Sequence, residues 1–199
     1  MPLEALSQSQ VLAQPWVVIP ELFDPAYVGG WSAAEHWDLT EQMFRGVMVF
    51  TARAGLPTEV AVQGIPFVLK RTQPQRMFGL SPVWHGRARV NVSDIHRTLV
   101  DILAEPRLGG GIRHVQDCLT NYQLADQRNW SRLLNYVARL GNGAVYKRLG
   151  FLLERQEATE TLLDHCASRL TAGNAKLDPN LPCPRLVKRW RLWVPTTWV

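Results

Sequence analysis

Two carboxylates and a guanidinium occur at helical spacing in the segment VSDIHRTLVD, residues 92–101. Asp94, Arg97 and Asp101 are separated by three and then four residues, so a helix would place them on one side. Carboxylates arranged in this way could ligate a divalent metal and support phosphoryl chemistry on a nucleic acid or nucleotide. The segment therefore raises the possibility of a metal-dependent nuclease or a nucleotidyltransferase-like enzyme.

A structural role explains the same three residues without a further acidic residue from elsewhere in the chain. A metal site needs a further carboxylate from a neighbouring strand, yet Glu59 is the only acidic residue between positions 45 and 92. Asp94 lies where a helix begins and is suited to cap it. Arg97 can pair with Asp101 on the next turn. The segment predicts a structural junction between a sheet and a group of helices.

A second segment, RLVKRWRLW at residues 185–193, combines positive charge with aromatic rings. Basic side chains beside tryptophans suit a phosphate backbone or an acidic groove on a protein. A strand with a solvated basic face would give the same pattern. The candidate contacts for DNA or for a protein partner are Arg185, Lys188, Arg189 and Arg191.

Known catalytic and metal-binding motifs are missing from the sequence. There is no HExxH, no GxSxG and no closely spaced cysteine pair, and the five histidines are isolated from one another. RLGGGIR at residues 107–113 could hold an anion before a helix, but it lacks the Lys-Ser/Thr of a phosphate-binding loop and follows a helix. It predicts an interhelical turn. We expect no catalytic set, no metal and no cofactor.

Composition restricts the class of protein. The chain has 199 residues, of which 46% are hydrophobic and 20% charged, so it can form one sizeable packed domain. The net charge of +5 fits a nucleic acid or an acidic protein partner. Three scattered cysteines, no signal-peptide pattern and no long apolar run predict a cytoplasmic protein.

The main change of hydrophobic period along the chain falls at Ser93. Short runs rich in β-branched and aromatic residues predict strands at 47–53, 58–64 and 65–71, and a hairpin around His85-Gly86. At Ser93 the period becomes helical, and a helix is predicted to end near Glu105, before Pro106. Further helices are predicted at 112–124, 129–141, 142–156 and 158–170, and a last strand at 185–194.

This order predicts an α+β fold. A small antiparallel or mixed sheet from the N-terminal half would pack on a C-terminal helical bundle, and the final strand would return to the sheet. Residues 1–15 would form a leader, and residues 16–199 would form one domain.

Three blocks of the sequence resemble the C-terminal domain of AbiEi-type antitoxins, the transcriptional regulators of bacterial type IV toxin–antitoxin systems. They are YVGGWSAAEHWDLTEQ at 27–42, the run from RMFGLSPVWHG to GGGIRHV at 76–115, and YVARLGNGAVYKRLGFLLERQ at 136–156. The resemblance extends from about residue 16 to KRWRLWV. The Ser-Asp-x-x-Arg-Thr-Leu-Val-Asp and Lys-Arg-Leu-Gly-Phe-Leu-Leu-Glu blocks are specific in combination.

The resemblance implies a module that is not an enzyme and that neutralises a nucleotidyltransferase-like toxin, directly or indirectly. In the family, an N-terminal winged helix-turn-helix usually binds the operator, and the C-terminal domain can add basic contacts to DNA. About fifteen residues precede the region of resemblance, too few for a winged helix. The antitoxin role is therefore the expectation that transfers best, with accessory DNA contacts as an addition.

Overall fold

The computed structural model describes residues 14–198. The predicted leader, residues 1–15, lies outside the described residues except for its last two positions. Within the described range, strands dominate the N-terminal half and helices the C-terminal half, so the α+β prediction is confirmed.

Six strands form a mixed sheet. Their order is β3-β4-β2-β1-β6-β5, with β2 parallel to β4, β1 parallel to β6, and the other neighbours antiparallel. The strands are β1 (Ala26–Val28), β2 (Val47–Thr51), β3 (Glu59–Val62), β4 (Ile65–Arg71), β5 (Leu80–His85) and β6 (Ala88–Ser93).

Strand β2 shows why both faces of this sheet are covered. Val47 and Val49 join the apolar cluster on one face, whereas Met48 and Phe50 join a smaller cluster on the other. Successive side chains of a strand point to opposite faces, so a strand that is apolar at every position must be covered on both sides. All five residues of β2 are buried, as that arrangement requires.

Seven α-helices accompany the sheet among residues 14–198. They are α1 (Ile19–Phe23), α2 (Gly30–His36), α3 (Ile95–Ala104), α4 (Ile112–Leu124), α5 (Trp130–Leu140), α6 (Gly143–Arg155) and α7 (Glu160–Ala167). Helix α3 is the centre of the bundle, since α2, α4, α5 and α6 all pack against it. Its apolar residues Leu99, Ile102 and Leu103 are fully buried in the largest core cluster.

Local signals in the sequence set several helix ends. Gly141 ends α5 in the left-handed conformation, with φ of 69°, and the side chain of Asn142 caps α6 by accepting from the N–H of Ala144. Ser32, which precedes Glu35 by the three residues of a capping box, does not cap α2. That helix begins at Gly30, and the Ser32 hydroxyl instead accepts from the N–H of Met48 on β2.

The prediction that the last segment returns to the large sheet is wrong. Residues 185–194 form a hairpin of β8 (Arg185–Val187) and β9 (Leu192–Val194), and β7 (Ala175–Lys176) pairs with β9 in parallel. These three strands make a separate sheet in the order β7-β9-β8. The chain reverses at Arg191, whose φ is 49°, so the run that reads as one strand is interrupted.

Trp190 makes one of the close contacts that attach the small sheet to the bundle. Trp190, in the turn of the hairpin, is fully buried, and its ring lies directly against Gly150 of α6. A Cβ at position 150 would overlap this ring. The indole N–H of Trp190 donates to the carboxylate of Glu154 at 2.6 Å, one turn further along the helix.

In the part of the chain that the structure describes, every helix is too short or too polar to cross a membrane.

Candidate functional site

Asp94 caps helix α3, as the sequence predicts. Its Oδ1 accepts from the backbone N–H groups of His96 and Arg97 at 3.1 and 2.8 Å. Its Oδ2 accepts from the hydroxyl of Tyr136 on α5 at 2.9 Å. Both carboxylate oxygens therefore serve the helix start and its contact with the neighbouring helix.

Arg97 and Asp101 form a buried ion pair one turn apart. Arg97 Nε lies 2.9 Å from Asp101 Oδ1, and the two side chains are 2% and 4% exposed. The hydroxyl of Tyr27, on β1, donates to Asp101 Oδ2 at 3.1 Å and accepts from Arg97 Nη2 at 3.2 Å. We call Tyr27, Arg97 and Asp101 the junction triad, because they join the sheet to the central helix of the bundle.

Burial is the largest influence on the pKa of Asp101 and on that of Tyr27. It raises the pKa of Asp101 above its usual range, while the Arg97 guanidinium and the Tyr27 hydroxyl favour the ionised carboxylate. Burial, followed by the Asp101 charge, raises the pKa of Tyr27 well above its usual range, so this hydroxyl stays protonated and can donate.

The segment before β5 completes the junction. Arg97 Nη1 donates to the carbonyl of Phe78 at 3.1 Å, and the Arg97 and Arg139 guanidinium groups lie 4.1 and 4.0 Å from the Phe78 ring centre. Gly79 has φ of 65°, and a Cβ there would press on Tyr136 and Arg97. The small left-handed residue lets this loop approach α3 closely.

The two carboxylates of the segment do not meet. Asp94 and Asp101 are seven residues apart on α3, which corresponds to roughly 10 Å along the helix axis, and each is bound by different partners. Within residues 14–198, no three or more His, Cys, Asp or Glu side chains are grouped closely enough to hold a metal ion.

A cleft of about 660 Å³ opens beside the triad, between the ends of two strands and the bundle. One wall consists of the ends of β2 and β4 and the loop that follows β4. The other wall comes from the C-terminal half of α3 and the α5–α6 connection. The polar lining residues are Lys70, Arg71, Thr72, Gln73, Arg76, Arg97, Asp101, Glu105 and Asn142.

Charges are distributed unevenly around this cleft. Lys70 pairs with Glu105, whose pKa is lowered by its bonds to Lys70 and Arg107 against the effect of burial. Among the described residues, Arg71 and Arg76 form no ion pair and are exposed. The strand wall therefore carries two unpaired guanidinium groups facing a largely neutralised helix wall.

The four predicted basic contacts of residues 185–191 all lie at the surface, but they differ in whether an acidic side chain already binds them. Arg185, Lys188 and Arg191 are exposed. Arg189 forms ion pairs with Glu154 and, at 3.2 Å, with Glu160. Three positive charges of this hairpin are thus available to a partner, and the fourth is engaged by the bundle.

The glycine-rich turn before α4 is an interhelical turn, as predicted, and the N–H of Ile112 at the start of α4 is already bonded within the protein. Gly110 and Gly111 have φ of 80° and 96°. The carboxylate of Asp178 accepts from the N–H of Ile112 at 3.1 Å. A residue 66 positions away therefore supplies the negative charge that the helix start favours.

Sequence reasoning missed the basic cleft. Lys70, Arg71 and Arg76 lie within seven residues, in a stretch where Glu59 is the only acid between positions 45 and 92. This excess of basic over acidic residues could have indicated a basic site. What it could not show is that α3 and the α5–α6 connection form the opposite wall.

Comparison with known proteins gives a fold likeness and no family. No family model matches the chain, and no curated protein matches it. Among solved structures, the RV2827C protein from Mycobacterium tuberculosis is similar, with a TM-score of 0.58 and 15% sequence identity. The match covers 92% of this chain and 68% of that one. At this identity the likeness concerns the fold alone.

Proposed function

We propose that this chain is an antitoxin and regulatory module of a bacterial type IV toxin–antitoxin system. It is not an enzyme, and it neutralises a nucleotidyltransferase-like toxin, with accessory contacts to DNA as a secondary role. The proposal includes a cytoplasmic location, where such a toxin would act.

The observation that carries the proposal is that the two blocks whose combination is specific to the resemblance both have structural roles. The first block, within residues 92–101, holds the sheet and the bundle together through Asp94 and the junction triad. The second block contains Arg148, a buried side chain that donates to four backbone carbonyls of α3 and the β7 region. The charged residues of both blocks therefore stabilise the fold, as expected for a binding module.

The exposed positive charges of the β8–β9 hairpin are the contact surface that we propose for the toxin or for DNA. Arg185, Lys188 and Arg191 extend from a rigid hairpin held by the buried Trp190. Arg189 is the fourth member, and its ion pairs with the bundle orient the turn. Electrostatic complementarity to an acidic partner would speed association and select against basic surfaces.

Growth rescue tests the antitoxin role. The chain is co-expressed with the product of the gene immediately downstream of its own, and colony formation and co-purification are measured on the same cells. Rescue with co-purification supports a direct antitoxin, and rescue without it supports an indirect one. Unrelieved toxicity, with the chain folded and expressed, contradicts the proposal.

A charge-reversal series tests the contact surface. The triple variant Arg185→Glu, Lys188→Glu and Arg191→Glu is expected to lose rescue or DNA affinity. Its matched control reverses three exposed arginines elsewhere on the surface, at positions 87, 89 and 132. Equal activity of the two triple variants would remove the hairpin from the contact surface.

The enzymatic alternative, a metal-dependent nuclease or nucleotidyltransferase acting through Asp94, Arg97 and Asp101, lacks a pair of converging carboxylates. A direct check is to incubate the purified chain with labelled RNA, DNA and nucleoside triphosphates in the presence of Mg²⁺ or Mn²⁺. Turnover that disappears in Asp101→Asn while the fold is retained would favour the enzyme.

A further inference from the structure

We propose that the cleft beside the junction triad binds a nucleotide, with its phosphates at Arg71 and Arg76 and its base and sugar toward α3. This proposal concerns a different surface from the basic hairpin and does not depend on the antitoxin role.

The size of the cleft suits a small molecule. Its volume of about 660 Å³ lies within the range of small-molecule sites. It lies between two rigid walls, the ends of the parallel pair β2 and β4 on one side and the C-terminal end of α3 on the other. A site built from the ends of regular elements is already formed before the ligand arrives.

The strand wall has the chemistry of a phosphate site. Arg71 and Arg76 are exposed and carry no carboxylate partner among the described residues, whereas Lys70 is already paired with Glu105. A guanidinium binds phosphate oxygens through two parallel N–H groups, with more geometric selectivity than an ammonium. Two guanidinium groups within six residues of one loop can hold one phosphate chain between them.

The helix wall has different chemistry. Leu108 and Leu140 supply apolar surface there, and Phe50 of β2 adds to it from the strand side. The Asn142 side chain uses its Oδ1 to cap α6, which leaves its amide N–H groups as donors. Glu105, at the same wall, carries a carboxylate that can accept from hydroxyl or amino groups. Apolar contact combined with neutral hydrogen bonding is what a base and a sugar require.

The separation of the two walls distinguishes a nucleotide from a nucleic acid strand. The unpaired positive charge of the cleft lies at Arg71 and Arg76, so a polynucleotide that filled the cleft would bring phosphates against a helix wall whose charges are already paired. A nucleotide carries its negative charge at one end only, so its phosphates can remain at the guanidinium wall.

Isothermal titration calorimetry without divalent metal tests the site. The titrants are ATP, GTP, CTP and UTP, then adenosine, inorganic tripolyphosphate and single-stranded oligonucleotides of increasing length. At least one nucleotide should bind more tightly than adenosine and than tripolyphosphate. Arg71→Gln and Arg76→Gln should each weaken that binding by about 10- to 100-fold, the effect expected for loss of a charge-assisted hydrogen-bonded contact.

The matched control is the pair Arg87→Gln and Arg89→Gln. Both arginines are exposed on the β5–β6 hairpin, outside the cleft, and their replacement changes the charge equally. Thermal melts establish that all variants fold. No nucleotide binding at millimolar concentration, equal weakening in the control, equal binding of tripolyphosphate, or oligonucleotide affinity that rises with length would each overturn the proposal.

Discussion

Asp101 is the residue whose replacement tests the junction triad most directly. Asp101→Leu removes the carboxylate and leaves the Arg97 guanidinium, 2% exposed, without its opposite charge. Breaking a buried pair from one side usually costs about 3–5 kcal/mol, because the remaining charge stays in a poorly solvated place. Arg97→Met should cost a similar amount, since it leaves the carboxylate with only the Tyr27 hydroxyl.

The double variant Arg97→Met with Asp101→Leu should be milder than the sum of the two. Replacing both members of a buried pair by apolar residues is often close to neutral. Here the carbonyl of Phe78 loses its donor and the buried hydroxyl of Tyr27 loses both of its partners, and each group adds about 1–3 kcal/mol. We therefore expect a total loss of about 2–6 kcal/mol, below the sum of the two single losses, and a coupling energy of a few kcal/mol between the two sites.

Urea unfolding followed by circular dichroism measures all three variants, with equal slopes as the condition for comparison. Tyr27→Phe, which removes only the hydroxyl, provides an internal scale of about 1–2 kcal/mol. A loss below about 1 kcal/mol for Asp101→Leu, or a double variant whose loss equals the sum of the single losses, would refute the assignment of this triad as the joint between sheet and bundle.

Three further outcomes follow from buried polar groups. Arg148→Met should destabilise the fold by about 3 kcal/mol or more, because buried carbonyls lose a charged donor, and Arg148→Lys should recover little of it in urea unfolding. Burial lowers the pKa of His96 below 6.5, so the unfolded chain binds a proton at this histidine more readily than the folded chain does. The free energy of unfolding should therefore fall as the pH decreases through 6.5, and it should fall less steeply in His96→Phe. Burial raises the thiol pKa of Cys118 and of Cys166 to about 12. A disulfide reagent at pH 8 should therefore modify only Cys183 rapidly in the native protein, and it should modify all three thiols in guanidinium.

Local signals carried most of the fold prediction. The boundary at Ser93 and Asp94 could be read because a capping residue coincides with a change of hydrophobic period. The hairpin at His85-Gly86 is confirmed by the pairing of His85 with Ala88. In each case the residues that decide the structure are adjacent in the chain.

The misread segment depended on contacts between distant residues. Val187, Trp190, Leu192 and Val194 suggest one strand, but Trp190 faces α6 from a turn, and β9 pairs with a strand about 17 residues earlier. An apolar residue in a turn looks the same in sequence as one in a strand. The cleft escaped prediction for the same reason, since its basic wall is local but its opposite wall comes from α3 and the α5–α6 connection.

The contact of Trp190 with Gly150 has a consequence for sequence variation in proteins that share this fold. The indole fills the space that a side chain at position 150 would need, so the side chains at positions 150 and 190 share one limited space. We expect substitutions there to be compensatory: a larger residue on α6 would accompany a smaller one in the hairpin turn. Such paired changes would identify, from sequences alone, which relatives attach their terminal hairpin to the bundle in this way.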